Sequence, residues 1–299
     1  MTETASSIIR PPRDRRLLVL PLTLALVAGI LAGCTRKEAD SPPVATPSLT
    51  LERNRVAIGS PIRMTYRFQV APDAKIDGDY TVFVHVLDPE GEQLWTDDHA
   101  PSVPTSKWKP GDTVEYTRTV FVPNYPYIGE AHVRLGLYQQ DRRLALAGQE
   151  ISRREYLVST FQLLPQSENI FLIYKDGWHP AEVAADNPAS EWQWTTKRAT
   201  VSFRNPRKPA TLYLEYDTRS DIFTPPQQVT LRVGEQVVGT FGADARNRTL
   251  LTFPVSAEQF GSGEMAELAI EVDRTFTPGA GDTRELGIRL FHVFVEPRS

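Results

Sequence analysis

Disulfides are out of reach for this chain, because Cys34 is its only cysteine among 299 residues. With one thiol there is no thiolate metal site either, so the fold must hold by core burial alone. Long apolar runs are equally scarce. The one present, Leu17 to Ile30, has 14 residues, short of the roughly 20 that span about 30 Å of hydrocarbon. Concentrated positive charge is missing as well: the formal net charge is −4, which excludes a phosphate-reading basic face and nucleic acid as a partner. No Gly-x-Ser-x-Gly elbow and no phosphate-cradling glycine loop occurs, which removes the usual signatures of serine hydrolases and nucleotide enzymes. No histidine pair at metal spacing is present, since Pro180 denies His179–Glu182 a helix. No cofactor and no metal are expected.

What is present begins at the N-terminus. Arg10, Arg13, Arg15 and Arg16 precede the apolar run, and Leu31-Ala32-Gly33-Cys34 closes it. A basic segment, a short apolar core and a small-residue ending describe a secretory signal peptide over residues 1–33. Leu31–Cys34 resembles the lipobox of bacterial lipoproteins. That resemblance implies cleavage before Cys34, diacylglyceryl transfer to its thiol and acylation with fatty acids such as palmitate. Thr35 stands where Asp is the inner-membrane retention signal in enteric-type bacteria, so an outer-membrane location in the cell envelope is favoured, with the leaflet face left open. Residues 1–33 contribute +2, four arginines against Glu3 and Asp14, which leaves −6 for the other 266 residues. Residues 34–47 are polar and proline-rich and read as a flexible tether.

From Leu49 onward, apolar residues alternate with polar ones and no amphipathic helical period intervenes. Ile62–Phe68, Tyr80–Val86 and Ala131–Tyr138 each show one apolar face, separated by turn formers such as Asp88-Pro89-Glu90-Gly91. The expected fold is all-β, two consecutive antiparallel β-sandwiches. Residues 48–165 hold seven or eight strands, an immunoglobulin-like number. Residues 166–299 hold further strands at 200–203, 211–216, 228–233, 236–241, 249–255, 267–272 and 286–295, suited to a jelly-roll-like sandwich. On the last of these, Leu286, Ile288, Leu290, His292 and Phe294 share one face, and the opposite face also loses polarity toward its end. A helical turn is expected only around Ser256–Phe260.

Three stretches carry a second resemblance: Gly177-Trp178-His179-Pro180-Ala181-Glu182, then Trp192-Gln193-Trp194-Thr195, then Phe276-Thr277-Pro278 with Gly281-Asp282-Thr283-Arg284-Glu285-Leu286-Gly287. Together they resemble an accessory β-sandwich domain found beside bacterial membrane glycosyltransferases. Tyr125-Pro126-Tyr127-Ile128-Gly129 of the first half resembles sandwiches that accompany it. The resemblance implies an association with surface polysaccharide; catalysis does not transfer, because no multi-span region or nucleotide-sugar motif is present.

Trp178, Trp192 and Trp194 are the candidate ligand-binding aromatics, because an indole offers flat apolar area and one N–H to a sugar ring. The competing role is core filling, favoured for at least one of Trp192 and Trp194, with Trp178 as the exposed one. Glu182, Asp282 and Arg284 are the candidate polar ligand residues; the preferred alternative is a buried structural fork joining the chain's return to its last strand. Asp97, Asp98 and Glu115 are the carboxylates available for glycoside chemistry, but nothing in their spacing pairs them. The expectation is a non-catalytic envelope lipoprotein that binds or organises a glycan or a protein complex. A β-sandwich lyase or hydrolase is the alternative.

Overall fold

The computed structural model describes residues 41–185 and 190–298. Cys34 and the signal segment lie outside the described residues. Pro42–Ser299 forms one compact unit, and among the described residues its regular structure is strand apart from two single 3₁₀ turns at Thr105–Lys107 and Gln166–Glu168.

Ten strands come first: β1 (Ala45–Leu51), β2 (Arg55–Ala57), β3 (Pro61–Val70), β4 (Thr81–Leu87), β5 (Gln93–Thr96), β6 (Thr113–Phe121), β7 (Gly129–Gln139), β8 (Arg142–Arg143), β9 (Gln149–Ser152) and β10 (Glu155–Leu164). One sheet has the order β1-β3-β6 and the other β2-β10-β7-β4-β5. All pairings are antiparallel except the short β2–β10 edge. This is an immunoglobulin-like arrangement of two facing sheets. The pleat explains it: Met64, Tyr66 and Phe68 of β3, Val82, Val84 and Val86 of β4, and Val133, Leu135 and Leu137 of β7 are all fully buried. Each alternates with solvated neighbours on β3, as a period-two strand requires.

The tether ends earlier than the composition suggests. Val44 and Ala45 are buried, and Ala45 pairs with Val70. Pro47 is admitted because β1 is an edge strand, where a missing N–H costs no ladder bond.

Ten more strands follow: β11 (Leu172–Tyr174), β12 (Glu182–Val183), β13 (Glu191–Trp194), β14 (Arg198–Arg204), β15 (Ala210–Asp217), β16 (Gln227–Val233), β17 (Gln236–Ala243), β18 (Thr249–Val255), β19 (Met265–Val272) and β20 (Arg289–Pro297). Their two sheets read β11-β14-β19-β16-β17 and β12-β13-β20-β15-β18. Taking β13 to β20 as eight successive strands, the sheets run second-seventh-fourth-fifth and first-eighth-third-sixth, the order of a jelly roll. Leu231, Ile270, Leu212, Leu214, Leu290 and Val295 meet between them. Residues 257–260 form a single hydrogen-bonded turn where one was expected, with the Ser256 amide donating to Gln259 Oε1 and the Gln259 amide to Ser256 Oγ.

The last strand departs from its expected faces. Glu215 pairs with His292 but Tyr216 with Leu290, so Phe291 is an extra residue in β20. A bulge of this kind reverses the alternation beyond it. Leu290 points into the core; after the bulge Val293 and Val295 do so, and His292 and Phe294 turn outward.

Candidate functional site

The outward turn of His292 and Phe294 is where the two sandwiches meet. Phe121, at the end of β6, stacks flat on the His292 ring at 4.1 Å and 3°. The same phenyl meets Phe294 and Tyr213 edge-on, at 6.2 and 6.3 Å. Arg53 pairs with Glu296 across the same junction, and Asn169 ties the connecting turn back to Ser60 Oγ at 2.7 Å and to the Ile58 carbonyl at 2.8 Å.

Beside this contact lies a cleft of about 650 Å³. The first sandwich contributes Asp97, Arg118, Phe121 and Asn124; the second contributes Trp178, Trp192, Gln193, Glu215, Arg248, Phe291 and His292. A cleft of this size is of the order that takes small ligands.

Two of its carboxylates, Asp97 and Glu215, are held by arginines. Arg118 grips both oxygens of Asp97, at 3.0 and 2.7 Å. Behind them Tyr66 donates to Asp97 at 3.2 Å, and His99 bonds the Tyr116 hydroxyl at 2.8 Å and the Asp97 carbonyl at 2.7 Å. Burial, and then the Asp97 charge, push the Tyr66 phenol up. Burial lowers the basicity of His99 against the Asp97 contacts that favour its cation. On the opposite wall Glu215 accepts from His292 Nδ1 at 2.7 Å and from Arg248 at 3.0 Å. Burial alone would raise the Glu215 carboxyl, but the His292 hydrogen bond and the Arg248 charge outweigh it and hold it below the usual range.

Trp192 and Trp194 do not fill the core. Gln193 pairs with the inward Leu290, and Trp194 with Arg289, so both indoles stand on the outer face of the sheet. Both are half-buried and neither belongs to a core cluster. Arg289 lies over Trp192 at 4.8 Å and Trp194 at 5.7 Å while its guanidinium bonds both oxygens of buried Asp217. Trp178 is the indole that packs on the second core, its Nε1 donating to the Thr200 carbonyl at 2.8 Å. The expected ranking of the three is therefore reversed. Gly177 demands this: its φ is +81°, and a Cβ there would fall on the Arg198 carbonyl, so the chain runs hard against β14 and carries Trp178 with it.

Glu182, Asp282 and Arg284 come together as a fork. Arg284 binds Asp282 through Nε and Nη2 and reaches Glu182 at 2.5 Å, and Glu182 accepts the Trp192 Nε1 proton at 3.3 Å. The Arg284 hydrogen bonds hold Asp282 at about 2. The fork, read from the sequence as buried, is about one third exposed, and its Glu182 orients Trp192 from outside the cleft lining. Of the expected ligand residues, Trp178 and Trp192 line the cleft; Trp194, Glu182, Asp282 and Arg284 do not. Asp98 is spent on the Val84 amide at 3.0 Å, while His85 and His132 pair with Glu155 and Glu130. No sign of Arg248, Glu215 and Phe121 is found in the sequence, which marks Phe291 and His292 only as positions on the last strand. The one signal for them was the loss of polarity on both faces toward the end of β20. Among the described residues no group of three His, Cys, Asp or Glu is placed to hold a metal, and no helix is long and apolar enough to cross a membrane.

No family model matches the chain, and no curated protein matches it. Solved structures similar to it include a Bacteroides uniformis β-glucuronidase (8% identity, TM-score 0.29, 85% of this chain and 30% of that one). An Escherichia coli α-2-macroglobulin activated by trypsin shares 9% identity at a TM-score of 0.25, over 86% of this chain and 16% of that one. A Pseudomonas fluorescens alkylpurine DNA glycosylase, AlkC, shares 11% identity at a TM-score of 0.24, over 40% of this chain and 30% of that one. The chain spans well under two thirds of each of these proteins.

Proposed function

We propose that this chain is a non-catalytic, lipid-anchored protein of the bacterial envelope that binds a surface glycan in the cleft between its sandwiches. The observation that carries the reading is the lining: Trp192 and Phe291 supply flat apolar area beside Gln193, Asn124 and paired Arg–carboxylate groups. A sugar ring has an apolar C–H face and a rim of hydroxyls, and such a lining answers both. The resemblance to accessory sandwiches of glycosyltransferases supports the same class of ligand. The lipobox supports an anchor at Cys34 with the folded body held off the membrane. Organisation of an envelope protein complex is the other use of the same surface.

Two of the three cleft carboxylates support binding rather than turnover. A glycosidase needs one carboxyl kept protonated near neutral pH. Glu215 is shifted the other way, and Asp97 has both oxygens on Arg118. One observation favours the alternative of a carbohydrate-active lyase or hydrolase: Asp97, Glu191 and Glu215 line one cleft. Calorimetric titration of the detergent-solubilised full chain with envelope oligosaccharides tests the proposal. Binding that disappears in Trp192→Ala and in Arg248→Ala is expected. Product release that is abolished by Asp97→Asn or Glu215→Gln would replace it with the enzyme. For the anchor, labelled palmitate is expected to enter the wild type and not Cys34→Ala.

A further inference from the structure

Five aromatic side chains of the second sandwich are half-buried yet belong to neither hydrophobic core: Trp192, Trp194, Phe223, Phe276 and Phe291. They are not scattered. Trp192 meets Phe291 at 6.1 Å at the cleft mouth. Away from the cleft, Trp194 meets Phe276 edge-on at 5.7 Å, and Phe276 meets Phe223 at 6.2 Å. Guanidinium groups fill the steps between rings: Arg248 lies 4.0 Å from Phe291, Arg289 bridges Phe291, Trp192 and Trp194, and Arg274 lies 5.1 Å from Phe223. A band of rings and guanidinium planes therefore runs from the cleft along the outer face of β13 and β20 to the connecting segments that carry Phe276 and Phe223.

Each of these arginines has a carboxylate of its own: Glu215 for Arg248, Asp217 for Arg289 and Asp273 for Arg274. The band offers flat apolar area and fixed donors and acceptors with no unpaired positive charge. An anionic polymer would find no free guanidinium. A protein partner of standard size needs a broad patch, whereas this is a single file. None of the five rings stands among the strongly exposed hydrophobic residues.

We propose that the band is a second binding site, over which a linear neutral polysaccharide runs out of the cleft past Trp194 toward Phe276 and Phe223. Sugar C–H faces stack on the rings, and hydroxyls bond the Arg–carboxylate pairs between them. This rests on the glycan reading of the cleft but adds to it. The cleft alone would take a chain end or a short fragment, whereas the band makes affinity grow with chain length.

The test titrates the detergent-solubilised full chain with ladders of neutral linear gluco-, galacto- and manno-oligosaccharides, from disaccharides upward. The expected result is at least a tenfold tighter Kd, about 1.4 kcal/mol, for long oligomers over the shortest that binds. Phe276→Leu and Phe223→Leu are expected to lose that gain while keeping the short-oligomer affinity and the unfolding midpoint. Trp194→Phe, which keeps a ring, is expected to retain most of it, and Trp194→Leu is not. Affinity is expected to hold between about 0.01 and about 1 M salt, over which the Debye length falls from about 30 to about 3 Å. Equal affinity for short and long oligomers, or leucine variants that keep the gain, overturns the band and leaves the cleft reading standing. Steep salt dependence overturns the neutral polymer. Absence of binding at every length, with or without a protein captured at Trp194 and Phe276, overturns both.

Discussion

The two sandwiches share an architecture and dispose of their aromatic residues in opposite ways. The first buries them: Tyr66, Phe68, Tyr80, Tyr156, Phe161 and Trp108 are all core, with Phe68 packed on Trp108 at 5.0 Å. The second has a core that is mainly aliphatic, with Phe203, Tyr216 and Phe260 as its buried rings, and leaves five others half-buried outside that core. Ring area inside a sandwich contributes to stability. Ring area left outside contributes little to folding and is free to meet a ligand. The second sandwich has an aliphatic core of its own, so its outer rings are the ones least engaged in holding it together.

Truncating one ring on each side tests this contrast most severely. Phe68→Ala removes a fully buried phenyl and is expected to cost about 3–5 kcal/mol of unfolding free energy. Trp192→Ala, a larger truncation by volume, is expected to cost about 1 kcal/mol. Guanidinium denaturation of both variants gives the answer. A Trp192→Ala loss as large as that of Phe68→Ala would return Trp192 to a structural role.

The paired charges provide a smaller test on the second sandwich alone. Arg289→Leu leaves Asp217 buried without its partner. Loss of a fully buried pair member costs about 3–5 kcal/mol; Arg289 is partly solvated, so about 1–3 kcal/mol is expected. Restoring the balance with Asp217→Asn in the same chain is expected to recover part of it, a non-additivity that a double-mutant cycle measures. Smaller again is Phe121→Ala at the junction. Loss of its stacked and edge contacts is expected to cost about 1–2 kcal/mol. It is also expected to split one unfolding transition into two, because the ring is the main apolar link between the sandwiches; a single unchanged calorimetric peak would show that the coupling lies elsewhere.

Much of the fold was legible because a half-buried strand writes its own pattern. Met64, Tyr66 and Phe68 alternate with more solvated neighbours along β3, and seven strand stretches of the second half lie inside or overlap observed strands. The short motifs were legible as motifs. Gly177 and Gly287 answer close backbone approaches, to Arg198 and to Thr195 and Thr196, so the glycine pattern marks packing rather than a ligand. The cleft was not legible. Its walls come from Asp97 and Phe121 on one side and Glu215 and His292 on the other, joined only by long-range packing. The bulge at Phe291 breaks the alternation on which every face assignment depends.

Acid titration gives the smallest and last contrast. In the second sandwich Asp282 and Asp221 are both held at about 2, by Arg284 and Arg219 respectively, and Glu215 is lowered by His292 and Arg248 against its burial. In the first, Glu155 is lowered through His85, and Asp77 and Asp79 by Arg142 and Ser106. For any carboxylate whose folded pKa lies below its unfolded one, the unfolded chain takes up the proton first. Its contribution is therefore complete above the unfolded value and is lost as pH falls through the folded one. For Asp282 and Asp221 that window runs from the model-peptide 3.8 down to about 2. Burial also lowers His99, whose unfolded imidazole takes up its proton near 6.5. Stability is thus expected to begin falling below about 6.5, to fall further from about 4.5 as Glu155 and Glu215 join, and to lose the two aspartate contributions below 3.8. Asp282→Asn is expected to shallow that fall slightly and to leave the neutral-pH midpoint close to unchanged, since the pair is solvated and worth little. Fluorescence of Trp192, whose Nε1 bonds Glu182 beside Arg284, reports the same event locally. A shift in its emission between about pH 4 and about pH 2 that is absent from Asp282→Asn would tie the fork to the indole at the cleft; an identical shift in both would detach them.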